Sequence, residues 1–371
     1  MIPFNKPLKI RSKNIFQLVE KNNFFSGDGP FTKKCHQWLE NYYSSKALIT
    51  TSGTHALEMS AMLCNIQPGD EVIMPSYTFV STANAFVNYG AKIKFIDIEP
   101  STMNINALLI EQAITKKTKA IVAVHYGGVA CDMNLITRIS KKYNLFLIED
   151  AAQAINAEYK GKKLGTFGDF ACLSFHESKN IHCGEGGAII VNNKAYFESA
   201  EVIREKGTNR TQFYRGQVDK YRWISKGSSY LPSEFNAAYL YFQLKKSEDV
   251  AEKRLALWNR YYEKIKKLRL KIVCQEIDPQ KKHNGHLFFI KTKNLEERKK
   301  LIIFLKHHGI IAAFHYIPLH ESIKCSRYNS FHGEDKFTTK ESERILRLPM
   351  FYDLKFKEVD FIVKKIGEFY G

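Results

Sequence analysis

The stretch Leu173-Ser174-Phe175-His176-Glu177-Ser178-Lys179-Asn180 carries the chemistry around which the chain is organised. It closes an apolar run, 170–175, that is typical of a buried strand, and it ends on polar residues that include Lys179. A turn-rich segment, Gly184-Glu185-Gly186-Gly187, and a second apolar run, 188–191, follow. A lysine at the end of a buried strand can act as an imine-forming nucleophile, although a lone lysine is more often an ordinary surface residue.

The bulk properties are those of a globular protein. The chain has 371 residues, of which 44% are apolar and 25% are charged, and this length favours one large and one small domain. The apolar runs are shorter than the roughly 18–20 residues that span a bilayer. The first residues of the chain lack an apolar signal core. We therefore expect a cytoplasmic protein without a membrane partner.

Cysteine and charge patterns narrow the possible functions. None of the seven cysteines belongs to a C-x-x-C pair, which predicts free thiols in a reducing compartment and no metal site. The formal net charge of +18 raises nucleic-acid binding as a question. Because the lysines are interspersed with glutamates and form no basic block, we expect no nucleic-acid partner. A solvated surface that helps to bind a phosphorylated substrate is the favoured interpretation.

Strands and helices alternate over the first 150 residues. The predicted strands are 47–50, 71–75, 92–97, 120–125 and 145–150, and the predicted helices between them are 56–63, 80–89, 105–114 and 133–143. This alternation predicts a doubly wound α/β fold with a mainly parallel sheet. Ligands bind in such folds at the carboxyl ends of the strands.

Three features fall on that edge of the predicted sheet. The turn Thr51-Ser52-Gly53-Thr54 joins a strand to a helix and can offer backbone N–H groups to an anion, although serine and threonine are also ordinary N-caps. Tyr77 and Phe79 follow the second strand. Asp150 ends the run 145–150, where it either caps a helix or faces a positively charged ligand atom. The absence of the G-x-G-x-x-G and G-x-x-x-x-G-K-[ST] motifs argues against a dinucleotide-binding fold and a P-loop kinase.

The second half of the chain predicts a long loop and a smaller domain. Residues 208–229 form a polar, aromatic and basic segment, and loops of this length are usually functional. A charged helical stretch, 233–268, is followed by a strand at 286–290, a helix at 296–308, a strand at 310–316 and a terminal helix from about residue 357. We therefore predict a large domain of residues 1–245 with an N-terminal arm and a small α/β domain of residues 246–371.

The candidate site residues along the chain fit a pyridoxal phosphate (PLP) site. Such a site needs N–H groups and hydroxyls for the phosphate, an aromatic ring against the pyridine, a carboxylate for the pyridine nitrogen and a lysine for the imine. The 51–54 turn, Phe79, Asp150, Ser174 and Lys179 supply these parts in that order. Each part is a weak signal alone, whereas all of them on one sheet edge favour a functional Lys179.

Long sequence words resemble the DegT/DnrJ/StrS family of nucleotide-sugar aminotransferases, and the resemblance covers nearly the whole chain. The words are Gly27-Asp28-Gly29, Gly69-Asp70-Glu71-Val72-Ile73-Met74-Pro75-Ser76-Tyr77-Thr78-Phe79-Val80-Ser81-Thr82, Glu149-Asp150-Ala151-Ala152-Gln153, Ser174-Phe175-His176-Glu177-Ser178-Lys179-Asn180, Gly184-Glu185-Gly186-Gly187, Arg204-Glu205-Lys206-Gly207-Thr208-Asn209-Arg210 and Phe314-His315-Tyr316-Ile317-Pro318-Leu319-His320. The resemblance implies the aspartate-aminotransferase-like fold type I, with a mainly parallel mixed sheet flanked by helices and a smaller C-terminal α/β domain.

The resemblance also implies the roles of individual residues. Lys179 would anchor PLP covalently and, once freed, move a proton as acid and base, while Asp150 would keep the pyridine nitrogen protonated. The other implied cofactor contacts are Gly53 and Thr54 through backbone N–H groups, Ser174 through its hydroxyl, Phe79 stacked on the ring and Gln153 near the 3-hydroxyl. Some relatives carry histidine in place of the lysine and act as dehydratases, so Lys179 favours transamination.

Substrates and assembly follow from the same resemblance. The most similar group predicts L-glutamate as amino donor and dTDP-4-dehydro-6-deoxy-D-glucose as acceptor, with dTDP-4-amino-4,6-dideoxy-D-galactose and 2-oxoglutarate as products, in polysaccharide biosynthesis. Relatives often complete the phosphate site with an asparagine of the partner subunit, and the matching position in an expected homodimer is Ser229. Residues 210–223 either contact the dTDP-sugar or form a structural dimer loop. The gluco epimer at C4, a 3-amino sugar and a non-catalytic sugar-nucleotide-binding regulator stay open.

Overall fold

The computed structural model describes residues 1–10, 14–270, 272–322 and 327–371. The helices are α1 (Ile15–Lys21), α2 (Pro30–Tyr43), α3 (Gly53–Leu63), α4 (Val80–Val87), α5 (Ile110–Ala113), α6 (Met133–Lys142), α7 (Phe197–Arg204), α8 (Arg210–Tyr214), α9 (Glu234–Leu244), α10 (Ser247–Lys267), α11 (Leu295–His307), α12 (Thr338–Arg344) and α13 (Phe356–Tyr370). The strands are β1 (Lys46–Thr50), β2 (Glu71–Pro75), β3 (Lys92–Ile96), β4 (Thr118–Val124), β5 (Phe146–Asp150), β6 (Glu158–Tyr159), β7 (Lys162–Lys163), β8 (Phe170–Ser174), β9 (Gly187–Val191), β10 (Val273–Cys274), β11 (Lys281–Lys282), β12 (Phe288–Lys291), β13 (Asn329–Phe331) and β14 (Ile345–Leu348). None of the helices in the described ranges has both the length and the apolar composition of a membrane span.

A mixed sheet of eight strands forms the centre of the molecule. Its order is β1-β9-β8-β5-β4-β2-β3-β13. Neighbouring strands from β8 to β13 in this order are parallel, whereas β9 runs antiparallel to both β8 and β1. The predicted mainly parallel α/β sheet is therefore confirmed.

The central strands are largely apolar because helices cover both faces of the sheet. Val72 packs in one core with residues of α3, α4 and α7, while the next residue, Ile73, packs in a second core with residues of α2, α6 and α9. In the same way, Val122 lies in the first of these cores and Ile121 lies in the second. Strands buried on both faces read as continuous apolar runs, which is why the sequence located them to within one or two residues.

The C-terminal part has its own core and its own sheet, β10-β12-β14. Residues of α10, α11 and α13 pack on this sheet together with Ile2 from the N-terminus. One C-terminal strand, β13, instead pairs in parallel with β3 of the large sheet. The division of the chain at residues 245 and 246 stays a prediction.

Two predicted elements differ from the structure. The helix expected at 105–114 is reduced to a 3-10 turn at 107–109 and the short α5, because Ile105 pairs with Ile98 and Asn106 caps the turn. The strand expected at 310–316 forms only isolated bridges, Ile310 with Ile2 and Ala313 with Arg347. After Ala313 the backbone leaves the small sheet and turns towards the large one.

A fully buried carboxylate, Glu149 in β5, holds the loop that precedes β8. Its oxygens accept backbone N–H groups from Gly165 at 2.7 Å, Phe167 at 2.6 Å and Gly168 at 2.9 Å, and they lie 3.0 Å from Nε2 of the buried His125. Burial opposes ionisation, but the hydrogen bonds from His125 and the loop lower the pKa of Glu149 below its ordinary value. The charged form of Glu149 is therefore the form that stabilises the fold.

We expect Glu149→Gln to lower the free energy of unfolding at neutral pH by about 1.5–3 kcal/mol, because an amide N–H would face backbone donors. A carboxyl whose pKa is depressed by folding contributes stability above its unfolded pKa of about 4.3 and loses it as the pH falls. The stability difference between the parent protein and the variant should therefore shrink from pH 7 to pH 4. Urea unfolding at both pH values measures it, and a difference that is independent of pH would contradict the role of the charge.

Candidate active site

The turn after β8 places Lys179 at the carboxyl edge of the sheet. The β8–β9 pairing continues beyond Ser174, since the N–H of Phe175 donates to the carbonyl of Gly186 at 2.7 Å and that of Glu177 to the carbonyl of Gly184 at 2.8 Å. A tight turn then returns the chain, with the N–H of Lys179 on the carbonyl of His176 at 2.9 Å. The backbone that carries the lysine is thus fixed by strand pairing and turn bonds.

A small cavity surrounds the Lys179 side chain. Its lining comprises Ala151, Ala152, Gln153, Ile155, Leu173, Ser174, Phe175, Lys179, Asn180 and His286. Within the described part of the chain, no hydrogen bond holds the ammonium group of Lys179. Burial lowers the pKa of Lys179, the charge of Asp150 opposes this shift and that of Arg347 adds to it. A lysine with a lowered pKa and no partner is suited to nucleophilic and acid–base chemistry.

Asp150 lies at the end of β5, the parallel neighbour of β8. Its Oδ2 accepts the hydroxyl proton of Thr82 at 2.7 Å, and its Oδ1 accepts the N–H of Ala152 at 3.2 Å. No helix begins at this position, so the interpretation of Asp150 as a helix cap is excluded. The carboxylate is buried, oriented by these two donors and close enough to Lys179 for its charge to act on the pKa of the lysine.

The N-terminus of α3 meets the ends of β8 and β9. Ser52 is the N-cap, and its hydroxyl accepts the N–H of His55 at 3.1 Å. Gly53 is required here, because a Cβ at this position would lie 2.9 Å from Cβ of Ser174. No acceptor in the described residues takes the N–H of Gly53 or Thr54. These free donors at a helix N-terminus are suited to an anion such as a phosphate.

Gln153 lines the cavity, and Phe79 is linked to it through Tyr316, which contacts both residues. Gln153 uses its amide within the protein, since Oε1 accepts the N–H of Gly127 at 2.7 Å and Nε2 donates to the hydroxyl of Tyr316 at 3.1 Å. Phe79 precedes α4, and 56% of its surface is exposed although it is a large aromatic residue. An exposed aromatic ring is available for stacking on a planar ligand.

The predicted cofactor residues that line the cavity are Gln153, Ser174 and Lys179. Gly53, Thr54, Phe79 and Asp150 lie outside this lining, and so does Ser229. Ser229 is exposed and pairs with Glu205 through an isolated bridge. The segment 208–229 around it contains the short helix α8, and its Arg210 and Arg215 form ion pairs with Glu205 and Glu201. In the described ranges, no hydrogen bond joins Ser229 to the residues that line the Lys179 cavity.

Residues that the sequence analysis did not single out also contribute to the site. Asn284 donates to the carbonyls of Gln153 and Ile155, both at 2.8 Å, and His286 contacts Asn180 at 3.0 Å. Tyr316 contacts Gln153 as described above. These three residues are far from Lys179 in the sequence. Only Tyr316 belongs to a sequence word that resembles the family, and the resemblance gave this residue no role.

The residues present fit PLP. Among the described residues, the N–H groups of Gly53 and Thr54 have no acceptor, and the close approach of Gly53 to Ser174 leaves them at the carboxyl edge of the sheet, where they can bind a phosphate. The buried carboxylate of Asp150 is suited to a protonated ring nitrogen, and the ammonium group of Lys179 has no hydrogen-bond partner within the described chain. The mixed, mainly parallel sheet with flanking helices defines the class of the protein as a fold type I α/β enzyme, and Lys179 lies at the carboxyl edge of this sheet. The sequence model of the DegT/DnrJ/EryC1/StrS aminotransferase family matches residues 9–367. The chain belongs to this family, and it is an aminotransferase with PLP as its cofactor.

Several individual proteins are similar to this chain. The chain is 39% identical over 299 residues to the uncharacterized protein MJ1066 of Methanocaldococcus jannaschii, covering 79% of this chain and 77% of that one. It is 34% identical over 360 residues to a pleiotropic regulatory protein of Geobacillus stearothermophilus, covering 95% and 92%. A solved DegT DnrJ EryC1 StrS aminotransferase from Brucella abortus superposes with a TM-score of 0.87 at 28% identity, covering 96% and 94%.

Proposed function

We propose that the protein transfers an amino group from L-glutamate to C4 of dTDP-4-dehydro-6-deoxy-D-glucose, giving dTDP-4-amino-4,6-dideoxy-D-galactose and 2-oxoglutarate. The observation that carries the proposal is the position of the unpartnered Lys179 beside the oriented carboxylate of Asp150. Family membership supplies the aminotransferase class. The sequence words around residues 204–231 support the 4-amino-6-deoxy sugar nucleotide as the acceptor.

Each predicted site residue has a defined task in this proposal. When bound, PLP supplies a carbonyl for imine formation and a ring that withdraws electrons from the reacting carbon. Lys179 holds the cofactor and, once released, carries a proton between the two reacting carbons, while Asp150 favours a protonated ring nitrogen. The phosphate is held by the N–H groups of Gly53 and Thr54 and by the hydroxyl of Ser174, as the free donors of α3 support. Phe79 stacks on the ring.

We propose that the partner subunit of a homodimer completes the site with Ser229 and the segment 210–223. Two observations support this assembly: Ser229 is exposed, and Trp223 within the segment is 79% exposed. Its neighbours Tyr221 and Ile224 are also more than half exposed, and exposed apolar side chains that cluster in this way are typical of protein or ligand contacts. Basic residues of the segment would then face the diphosphate of the sugar nucleotide.

Two further outcomes of the chemistry are distinguished by the product. The gluco epimer at C4 would form if Lys179 delivered the proton to the opposite face of the acceptor carbon, and a 3-amino sugar would require a different ketone. A regulatory protein without activity is a second candidate function, because a relative that covers 95% of this chain is named a pleiotropic regulatory protein. The presence of both Lys179 and Asp150 favours the enzyme.

We expect the purified protein to be yellow and its visible absorption to bleach when L-glutamate is added. Incubation of the bleached enzyme with dTDP-4-dehydro-6-deoxy-D-glucose should restore the colour, whereas dTDP-glucose, which lacks the ketone, should not. NMR of the product then assigns the amino position and the configuration at C4. A colourless protein that takes up no PLP would overturn the proposal, and an equatorial C4 amine would replace the galacto product by the gluco epimer.

A further inference from the structure

Tyr316 connects two of the predicted cofactor contacts, although no role was assigned to it. Its hydroxyl lies 3.1 Å from Nε2 of Gln153, and its ring lies 6.3 Å from that of Phe79. The direction of the hydrogen bond is fixed. Since Oε1 of Gln153 accepts the N–H of Gly127 at 2.7 Å, Nε2 faces Tyr316 and can only donate. The phenolic oxygen of Tyr316 is therefore an acceptor in this contact.

The proton of the Tyr316 hydroxyl has no acceptor among the residues that the structure describes. The two other tyrosines of the same cluster have partners inside the protein: the hydroxyl of Tyr77 donates to the carbonyl of His315 at 3.2 Å, and that of Tyr126 contacts Nδ1 of His315 at 2.8 Å. Tyr316 is also only partly buried, whereas Tyr77 and Tyr126 are fully buried. A spare donor at a partly open position can serve a ligand.

The backbone of Tyr316 supports a functional position. Its φ angle is +30°, a conformation that side-chain-bearing residues rarely adopt, and such residues cluster at ligand sites. Aromatic packing holds the ring in place, with Tyr77 edge-on at 5.5 Å and His315 stacked at 3.6 Å. Burial raises the pKa of Tyr316, so the phenol stays protonated at neutral pH and keeps its proton available for donation.

We propose that Tyr316 donates a hydrogen bond to an oxygen atom of a ligand bound between Phe79 and Gln153. The oxygen belongs either to the phenolic group of the cofactor or to the keto-sugar substrate, and both are acceptors of the kind that a neutral phenol binds. This inference rests on the proposed function, because it needs PLP and a sugar nucleotide at this site. It makes Tyr316 a residue that binds the ligand and is supplied by the C-terminal part of the chain.

The test compares Tyr316→Phe, which keeps the ring and removes the spare donor, with Tyr126→Phe, which removes a hydroxyl that is satisfied inside the protein. For each holoenzyme we would measure the dissociation constant of PLP, the pH midpoint of its visible absorption, the rate of bleaching by L-glutamate and the KM for the keto-sugar nucleotide. Loss of one hydrogen bond to a ligand oxygen predicts a change of about 5–50-fold in the affected quantity.

The affected quantity identifies the oxygen. If Tyr316→Phe weakens PLP binding and moves the absorption midpoint, the acceptor is the cofactor oxygen. If PLP binding and bleaching are unchanged and only the KM for the sugar rises, the acceptor is on the sugar. Values for Tyr316→Phe that match those of both the parent protein and Tyr126→Phe in every measurement would overturn the inference. A parent protein that binds no PLP would instead overturn the proposed function, so the two failures are separable.

Discussion

Lys179→Ala is expected to abolish measurable amino transfer, because it removes the residue that we propose as both covalent anchor and proton carrier. Loss of a proton-transfer group alone costs about 10²–10⁴-fold in rate, and loss of the nucleophile adds to this. The fold should survive, since the ammonium group holds no hydrogen bond within the described chain. The measurements are the formation of 2-oxoglutarate, the visible spectrum with added PLP and the melting temperature.

Lys179→Arg is the matched control for this substitution. Arginine retains a positive charge in the cavity, but its guanidinium stays protonated and forms no imine at neutral pH. Both variants should therefore be inactive, and a small primary amine should restore part of the activity to Lys179→Ala only, because only alanine leaves room for it. Turnover by Lys179→Ala within about tenfold of the parent rate, without added amine, would remove the lysine from its role.

The central sheet could be predicted because its strands are buried on both faces. Burial of both faces makes 146–148 and 170–173 continuous apolar runs, and polar residues mark where each run ends. Parallel strands then bring their carboxyl ends to one edge, so Asp150 and Lys179 meet although 29 positions separate them in the sequence. The apolar pattern of the strands and the rule that parallel strands end at one edge were together sufficient to predict that Asp150 and Lys179 lie at the same edge of the sheet.

The other half of the site depends on contacts that leave no local pattern. His286 lines the cavity from the C-terminal part of the chain, and Asn284 and Tyr316 contact Gln153 from the same part. These contacts were not predictable from spacing. The expected strand at 310–316 was wrong for the same reason: beyond Ala313 the chain turns towards the large sheet, where Tyr77 and Gln153 hold it. Tertiary contacts outweighed the strand propensity of this apolar segment.

Asp150→Asn is expected to slow amino transfer by about 10²–10³-fold, the effect of removing one oriented electrostatic group from an active site. Asparagine keeps the size of the side chain but loses the charge that, in the proposed site, favours a protonated ring nitrogen. One of the two donors, the hydroxyl of Thr82 or the N–H of Ala152, would also face an amide N–H instead of an oxygen. Steady-state kinetics with both substrates measures the loss, and the PLP dissociation constant shows whether binding changes as well.

A second readout separates the charge of Asp150 from its shape. The negative charge raises the pKa of Lys179 against the effect of burial, so Asp150→Asn should lower this pKa further. In the apoenzyme, the rate at which Lys179 reacts with an amine-directed reagent should then reach its half-maximum at lower pH. Thr82→Val is the control: it removes one hydrogen bond but keeps the charge, so we expect a loss of activity of about 2–10-fold and no shift of the midpoint. A midpoint that stays constant or rises in Asp150→Asn would show that the carboxylate does not act on the lysine through its charge.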